Sequence, residues 1–127
     1  MNKSSRILVV DDFSTMRKVI RNILRELGYQ DIVEADDGTT ALETLRSQKI
    51  DIIISDWNMP TMTGLKLLKQ VRADEALAKT PFLMVTAESL RDNVVEAVKA
   101  GVDDYIVKPF TAQVLGEKIA GIVNKYS

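Results

Sequence analysis

The stretch Ile50 to Trp57, which reads IDIIISDW, is the feature that most constrains the fold of this chain. Its run of consecutive isoleucines, without polar alternation, predicts a strand buried on both faces, as in a parallel sheet covered by helices. Asp56 comes at the end of this run, so we expect it at the carboxyl end of a central strand. Ligands bind at that edge of open α/β sheets. The sequence therefore points to Asp56 as the centre of a functional site.

Strand-like and helix-like segments alternate along the whole chain. The strands are predicted at Arg6–Val10, Asp31–Ala35, Asp51–Ser55, Phe82–Thr86 and Asp103–Val107. The helices between and after them are predicted at about Ser14–Leu27, Thr39–Ser47, Leu65–Ala73, Leu90–Ala100 and Ala112–Lys125. This alternation predicts an α/β fold of the doubly wound (βα)5 type, a three-layer sandwich around a five-stranded parallel sheet. We expect a single domain over residues 1–127 with no output domain.

The first helix has the clearest amphipathic pattern. Ser14 is its expected N-cap and Gly28 its expected end. Its apolar face is predicted to comprise Met16, Val19, Ile20, Ile23, Leu24 and Leu27. Its other face is interpreted as a solvated basic surface formed by Arg17, Lys18, Arg21 and Arg25. In the fourth helix, the residues expected to be buried are Val94, Ala97 and Val98.

Composition argues against several functional classes. A net charge of -1 gives no basic surplus, so nothing supports a nucleic-acid partner held through its phosphates. The chain has no cysteine and no histidine, which rules out disulfides, thiol chemistry, imidazole catalysis and the usual zinc sites. The early apolar run Ile7–Val10 is too short for a signal sequence or a membrane span, so we expect a cytoplasmic protein without membrane insertion.

Strand polarity separates the acidic residues. Those that precede a strand belong to the amino edge of the sheet, and they are Asp51, Asp103 and Asp104. Those at the carboxyl edge are Asp11, Asp12, Asp36, Asp37 and Asp56. If the strand order is the flavodoxin-like 2-1-3-4-5, strand two lies at the margin while strands one and three are neighbours. In that order, only Asp11, Asp12 and Asp56 converge.

Each of these three acids taken alone could be a helix cap or a turn residue. Together they need a compensating cation, because two unit charges about 5 Å apart repel by roughly 3 kcal/mol at an effective dielectric constant of about 20. A pocket of carboxylates without histidine favours Mg²⁺ over zinc.

Two more polar groups come at the ends of the remaining strands. Thr86 ends the fourth, and Lys108 follows the fifth and precedes Pro109, which allows a cis peptide bond. Thr86 could instead be a helix cap, and Lys108 a surface lysine. A hydroxyl and an ammonium beside a metal and a carboxylate are, however, the groups that bind a phosphoryl group.

The motifs at the strand ends resemble the receiver domains of bacterial two-component response regulators, and the single-domain chemotaxis members in particular. They are DDFSTMR at Asp11–Arg17, SDWNMP at Ser55–Pro60, LMVTAE at Leu83–Glu88 and VKPFTA at Val107–Ala112. The resemblance covers the whole chain and implies the strand order 2-1-3-4-5.

The resemblance also implies roles for individual residues. Asp56 would accept a phosphoryl group from a CheA-like histidine kinase, and Lys108 would pair with the phosphoryl oxygens. Mg²⁺ would be bound by Asp12, Asp56 and the backbone carbonyl of Asn58, with Asp11 acting through a metal-bound water. Such a protein is not an ordinary enzyme, since it catalyses only its own phosphorylation and dephosphorylation.

Signal output is implied by the same resemblance. Thr86 would move to the phosphoryl group and Tyr105 would turn inward, which would switch the face formed by the fourth helix, fifth strand and fifth helix. That face would bind a FliM-like flagellar motor switch protein to control rotation. Asn58 and Glu88 would tune hydrolysis, a dedicated phosphatase is a further candidate partner, and a monomer is expected. The alternative is a phosphorelay carrier that passes its phosphoryl group to a histidine phosphotransfer protein.

Overall fold

The computed structural model describes residues 4–87 and 91–126, and within them strands and helices alternate. The strands are β1 (Ile7–Val10), β2 (Ile32–Ala35), β3 (Ile52–Asp56), β4 (Phe82–Thr86) and β5 (Asp104–Val107). The helices are α1 (Ser14–Glu26), α2 (Gly38–Ser47), α3 (Gly64–Ala73), α4 (Arg91–Ala100) and α5 (Ala112–Lys125). The expected start of the fourth helix at Leu90 lies outside the described residues.

The five strands form one parallel sheet in the order β2-β1-β3-β4-β5, which confirms the predicted fold class. Strand β1 pairs with both β2 and β3, and its last residue, Val10, is in register with Ser55. The next residue, Asp11, therefore comes level with Asp56, the last residue of β3. This register is what brings the two acids of different strands together.

Helices cover both faces of the sheet, and alternate strand residues point into two separate cores. One core lies under α2 and α3 and includes Leu8, Val10, Ile53, Phe82 and Met84 from the strands. The other lies under α1 and α5 and includes Ile7, Val9, Ile52, Ile54 and Val85. Both faces of β1, β3 and β4 are therefore buried, as the unbroken apolar run of the third strand predicts.

Three expectations about the helices are wrong. Helix α1 is preceded by Phe13 rather than capped by Ser14, and the amide of Phe13 is bonded to Asp11 Oδ1 at 2.9 Å. Val19, assigned to the apolar face, is 44% exposed, and Val98, which was expected to be buried, is 61% exposed. Each neighbours a buried residue, Ile20 or Ala97, and successive residues of a helix point about 100° apart. The contact stripes of α1 and α4 are narrower than the apolar pattern suggests.

The buried carboxylate of Asp103, at the amino edge of the sheet, is the centre of a polar network. Its Oδ1 accepts hydrogen bonds from Lys125 Nζ at 2.9 Å and Tyr126 OH at 2.7 Å. Its Oδ2 accepts from the amide of Phe82 at 2.7 Å and from Arg72 Nη2 at 3.1 Å. Burial by itself would raise the pKa of this carboxyl group, but the donors outweigh burial and hold the pKa below its ordinary value.

The lowered pKa of Asp103 predicts a pH-dependent contribution to stability. A carboxyl group with a lower pKa in the folded state stabilises the fold above its unfolded pKa of about 3.9, and this contribution is lost as pH falls through the folded value. We therefore expect Asp103→Asn to lower the free energy of unfolding more at about pH 7 than at about pH 3. Urea denaturation of both proteins at the two pH values tests this, and a pH-independent difference would contradict it.

Candidate functional site

Three carboxylates meet at the carboxyl ends of β1 and β3. One oxygen from each of Asp11, Asp12 and Asp56 lies within 4.8 Å of the others. The predicted convergence of these acids is therefore found. Asp37 serves elsewhere, as the N-cap of α2, where its Oδ1 accepts a hydrogen bond from the amide of Thr40 at 2.8 Å.

The carboxylate cluster is poorly solvated. Asp11 and Asp56 are 0% and 5% exposed, and Asp12 is half-buried. Within the described part of the chain, Asp11 Oδ2 and Asp12 Oδ1 are buried without a hydrogen-bond partner. Burial raises the pKa of Asp11; the amide of Phe13 and the Lys108 ammonium act against this, while the charges of Asp56 and Asp12 add to it. The cluster thus carries negative charge that the protein compensates incompletely.

Lys108 supplies a cation to this cluster. Its Nζ lies 2.9 Å from Asp56 Oδ1 and 3.7 Å from Asp11 Oδ2. The amide of Lys108 donates a 2.7 Å hydrogen bond to the carbonyl of Thr86, which ties the lysine to the end of β4. The Lys108–Pro109 peptide bond is cis, as the sequence allows.

The donor set fits a hard divalent cation. Three carboxylates face one ammonium, and two of their buried oxygens have no donor among the described residues. Oxygen ligands of this kind, with room for water, are what Mg²⁺ prefers. Burial is the main cause of the raised pKa of Asp11, and the charges of Asp56 and Asp12 add to it; a bound divalent cation would offset that repulsion.

Thr86 and Tyr105 lie on neighbouring strands and on the same face of the sheet. Thr86 is in register with Val107, and Met84 with Tyr105. Thr86 is 4% exposed, whereas Tyr105 is half-buried against the core under α2 and α3. Lys118 Nζ lies 5.5 Å from the centre of the Tyr105 ring. The two residues of the predicted switch thus lie two register positions apart on neighbouring strands.

The backbone around Asp56 is held from two sides. The amide of Trp57 donates to the carbonyl of Val85, and the amide of Gly64 donates to the carbonyl of Trp57, both at 2.8 Å. A Cβ atom at Gly64 would collide with the backbone carbonyl oxygen of Asp56. Glycine at the first position of α3 therefore lets the loop pack directly against the end of β3. Asn58, in this loop, is exposed, and Glu88 lies outside the described residues.

The basic face of α1 is not simply solvated, which corrects the interpretation of the sequence. Arg17 Nη1 donates a 2.6 Å hydrogen bond to the backbone carbonyl of Asp11, and its Nε lies 3.1 Å from Glu34 Oε1. Arg21 Nη1 lies 2.7 Å from Glu34 Oε2. The sequence feature that could have indicated these ion pairs is Glu34, a polar residue in an otherwise apolar second strand. Sequence periodicity alone did not show which helix would face it.

Residues 7–120 match the family model of the response regulator receiver domain. The chain belongs to this family. Among curated proteins, it is 60% identical over 120 residues to the chemotaxis protein CheY of Pseudomonas aeruginosa, covering 94% of this chain and 97% of the relative. Among solved structures, the chemotaxis protein CheY4 of Vibrio cholerae superposes with a TM-score of 0.88 at 34% identity, covering 94% of this chain and 98% of that one.

A third relative bears on the metal. The receiver domain of a sensor histidine kinase from Pseudomonas aeruginosa PAO1 has a TM-score of 0.84 at 30% identity, covering 94% of this chain and 98% of that one, and its structure has magnesium coordinated in the active site cleft. Receiver domains bind Mg²⁺ at an acidic pocket, and this receiver domain has such a pocket. None of its helices in residues 4–87 and 91–126 combines the length and apolar character needed to cross a membrane.

Proposed function

We propose that this receiver domain is a chemotaxis response regulator that accepts a phosphoryl group on Asp56 from a CheA-like histidine kinase. One observation carries the proposal. The Asp56 carboxylate is held at the end of a buried central strand, 2.9 Å from Lys108 Nζ. It lies beside two acids that each have a buried oxygen without a hydrogen-bond donor in the described residues. This arrangement provides a nucleophile, a cation for phosphoryl oxygens and a place for a metal ion in one cleft.

Phosphoryl transfer at this site needs few protein groups. A carboxylate oxygen of Asp56 attacks phosphorus, the phosphorus–nitrogen bond to the donor histidine breaks, and the histidine nitrogen keeps the electron pair. Lys108 is in place to donate to a phosphoryl oxygen, and the Thr86 hydroxyl lies at the adjacent strand end. Asp12, Asp56 and the carbonyl of Asn58 would hold Mg²⁺, with Asp11 acting through water. The metal would supply charge neutralisation at the phosphoryl oxygens.

The output surface is the face formed by α4, β5 and α5. It includes a groove of about 340 Å³ lined by Tyr105, Phe110, Val114 and Lys118, among others. Val95 and Val98, on α4, are 40% and 61% exposed. Movement of Thr86 towards the phosphoryl group and of Tyr105 inward would reshape this groove, which is a population shift between two arrangements. The partner is a FliM-like motor switch protein, as the chemotaxis relatives suggest, and the regulator acts as a monomer.

Phosphorylation is expected to strengthen binding to the motor switch. We expect the protein treated with Mg²⁺ and beryllofluoride, a phosphoryl mimic, to bind the amino-terminal peptide of a FliM-like protein at least about fivefold more tightly than untreated protein. Fluorescence anisotropy of a labelled peptide measures both affinities. Asp56→Asn is the matched control and should show no gain.

Equal affinities in the two states would contradict the motor output. They would favour the alternative, in which the same pocket passes its phosphoryl group to a histidine phosphotransfer protein. Asn58 and Glu88 would set the lifetime of the phosphoryl group in either case, with or without a dedicated phosphatase.

A further inference from the structure

We propose that Arg17, anchored by Glu34, is a positioning residue that holds Asp11 in place for cation binding. The inference rests on the proposed function, since it assumes that the carboxylate cluster binds Mg²⁺. Arg17 joins two elements that sequence alone does not connect. It donates to the backbone carbonyl of Asp11 at 2.6 Å while its Nε lies 3.1 Å from Glu34 Oε1 on the edge strand β2.

The polar groups of Asp11 are constrained by three different parts of the chain. Its amide donates to the carbonyl of Ala35 at 3.1 Å, its carbonyl accepts from Arg17, and its Oδ1 accepts from the amide of Phe13 at 2.9 Å. Its remaining oxygen, Oδ2, has no hydrogen-bond partner among the described residues. The first three contacts therefore fix the peptide and the carboxylate, and they leave Oδ2 buried 3.7 Å from Lys108 Nζ.

Glu34 restricts the side chain of Arg17 to one position through their ion pair. Its two oxygens are divided between two arginines, Oε1 to Arg17 and Oε2 to Arg21 at 2.7 Å. The side chain of Arg17 is 18% exposed and that of Glu34 is 29% exposed, so this ion pair is partly shielded from water. A guanidinium group can serve the carboxylate and the carbonyl at once because its donors form a rigid fork.

Positioning and simple electrostatics predict opposite results when Arg17 is removed. Loss of a positive charge near the acids would by itself favour binding of a cation. Loss of a support for Asp11, which acts through a metal-bound water, would weaken it, because outer groups that orient a metal site contribute 10- to 100-fold to metal affinity. The sign of the change in Mg²⁺ affinity therefore distinguishes the two roles.

Arg21 offers a matched control. Arg21 carries the same charge as Arg17 and contacts the same glutamate. The two differ in that Arg17 is the one that donates the hydrogen bond to the Asp11 carbonyl. Arg21→Gln thus removes an equivalent charge and an ion pair to β2. It leaves the support of Asp11 in place. A general loss of packing between α1 and β2 would affect both variants alike.

The test is a titration with Mg²⁺ alone, without a phosphodonor, followed by Trp57 fluorescence and by calorimetry. We expect Arg17→Gln to bind Mg²⁺ about tenfold more weakly than wild type and Arg21→Gln to stay within about twofold. Arg17→Lys, which cannot reproduce the fork, should recover only part of the loss. Thermal unfolding of each variant shows whether the fold is kept. If Arg17→Gln folds poorly, Arg17→Lys carries the test, because it keeps the positive charge, so that an expected loss of about threefold comes from the missing fork.

The possible failures are distinguishable. Wild-type protein that binds no Mg²⁺ would overturn the proposed metal site and this inference with it. Wild-type binding with unchanged or tighter binding by Arg17→Gln would overturn the positioning role alone. Equal losses in Arg17→Gln and Arg21→Gln would also overturn it, because they would indicate a general packing effect.

Discussion

Exchange of Lys108 for methionine is expected to slow phosphorylation by acetyl phosphate by at least about 100-fold, the usual effect of removing a charged or hydrogen-bonding group at a developing anion. The physical reason is the contact of its ammonium with Asp56 Oδ1 at 2.9 Å. The same group is in place to meet a phosphoryl oxygen during transfer. Methionine keeps much of the length of the side chain, so the change removes charge with little loss of packing. The rate of mass gain under fixed donor and Mg²⁺ concentrations gives the measurement.

The Lys108→Met variant should bind Mg²⁺ no more weakly than wild type, even though its phosphorylation is slower. Without the ammonium, Asp11 and Asp56 lose a competing cation at 3.7 Å and 2.9 Å, so the metal should bind at least as tightly as in wild type. Lys69→Met, at an exposed position of α3, is the control and should change neither property. A Lys108→Met protein phosphorylated at the wild-type rate would contradict the assigned role.

Arg72→Ala is expected to lower the free energy of unfolding by about 3 kcal/mol, the low end of the range for removing one member of a buried ion pair. Arg72 bonds the carbonyls of Gly101 at 2.9 Å, Thr80 at 2.6 Å and Ala78 at 3.2 Å, and Asp103 Oδ2 at 3.1 Å. It thereby ties α3 to the loop before β4, to the end of α4 and to the start of β5. Asp103 keeps its other donors, which limits the loss.

Urea denaturation of the variant and wild type measures this difference. Arg72→Lys should recover little, because an ammonium group lacks the fork that reaches several carbonyls. Arg25→Ala, at an exposed position of α1, should change stability by less than about 0.5 kcal/mol. A loss below about 1 kcal/mol in Arg72→Ala would show that the network is not the support that its geometry indicates.

Much of the fold follows from local patterns. The unbroken apolar run of the third strand predicts burial on both faces, and β3 and β1 are indeed buried throughout. Helix boundaries at Gly28 and Gly101 are also predictable, since both glycines adopt positive φ angles of 99° and 95°. The exposure of Val19 and Val98 was not predictable, because it depends on how each helix is rotated against the sheet.

Some features of the candidate site were likewise predictable from the sequence, and others were not. Strand polarity, which is visible in the sequence, and strand order, which the family resemblance implies, bring Asp11, Asp12 and Asp56 together. The support of Asp11 by Arg17 and Glu34 is not visible, because it depends on which face of α1 meets the edge strand. The collision that a side chain at Gly64 would have with the Asp56 carbonyl is likewise a tertiary feature. The members of the carboxylate cluster were thus easier to predict than the residues that contact them.

The central claim is that Asp56 accepts one phosphoryl group in a reaction that needs Mg²⁺. Intact-mass measurement after incubation with acetyl phosphate tests it most directly. We expect a gain of about 80 Da, one phosphoryl group, in wild type with Mg²⁺, and no gain after chelation of the metal or in Asp56→Asn. An unchanged wild-type mass, or a gain that persists in Asp56→Asn, would contradict the account.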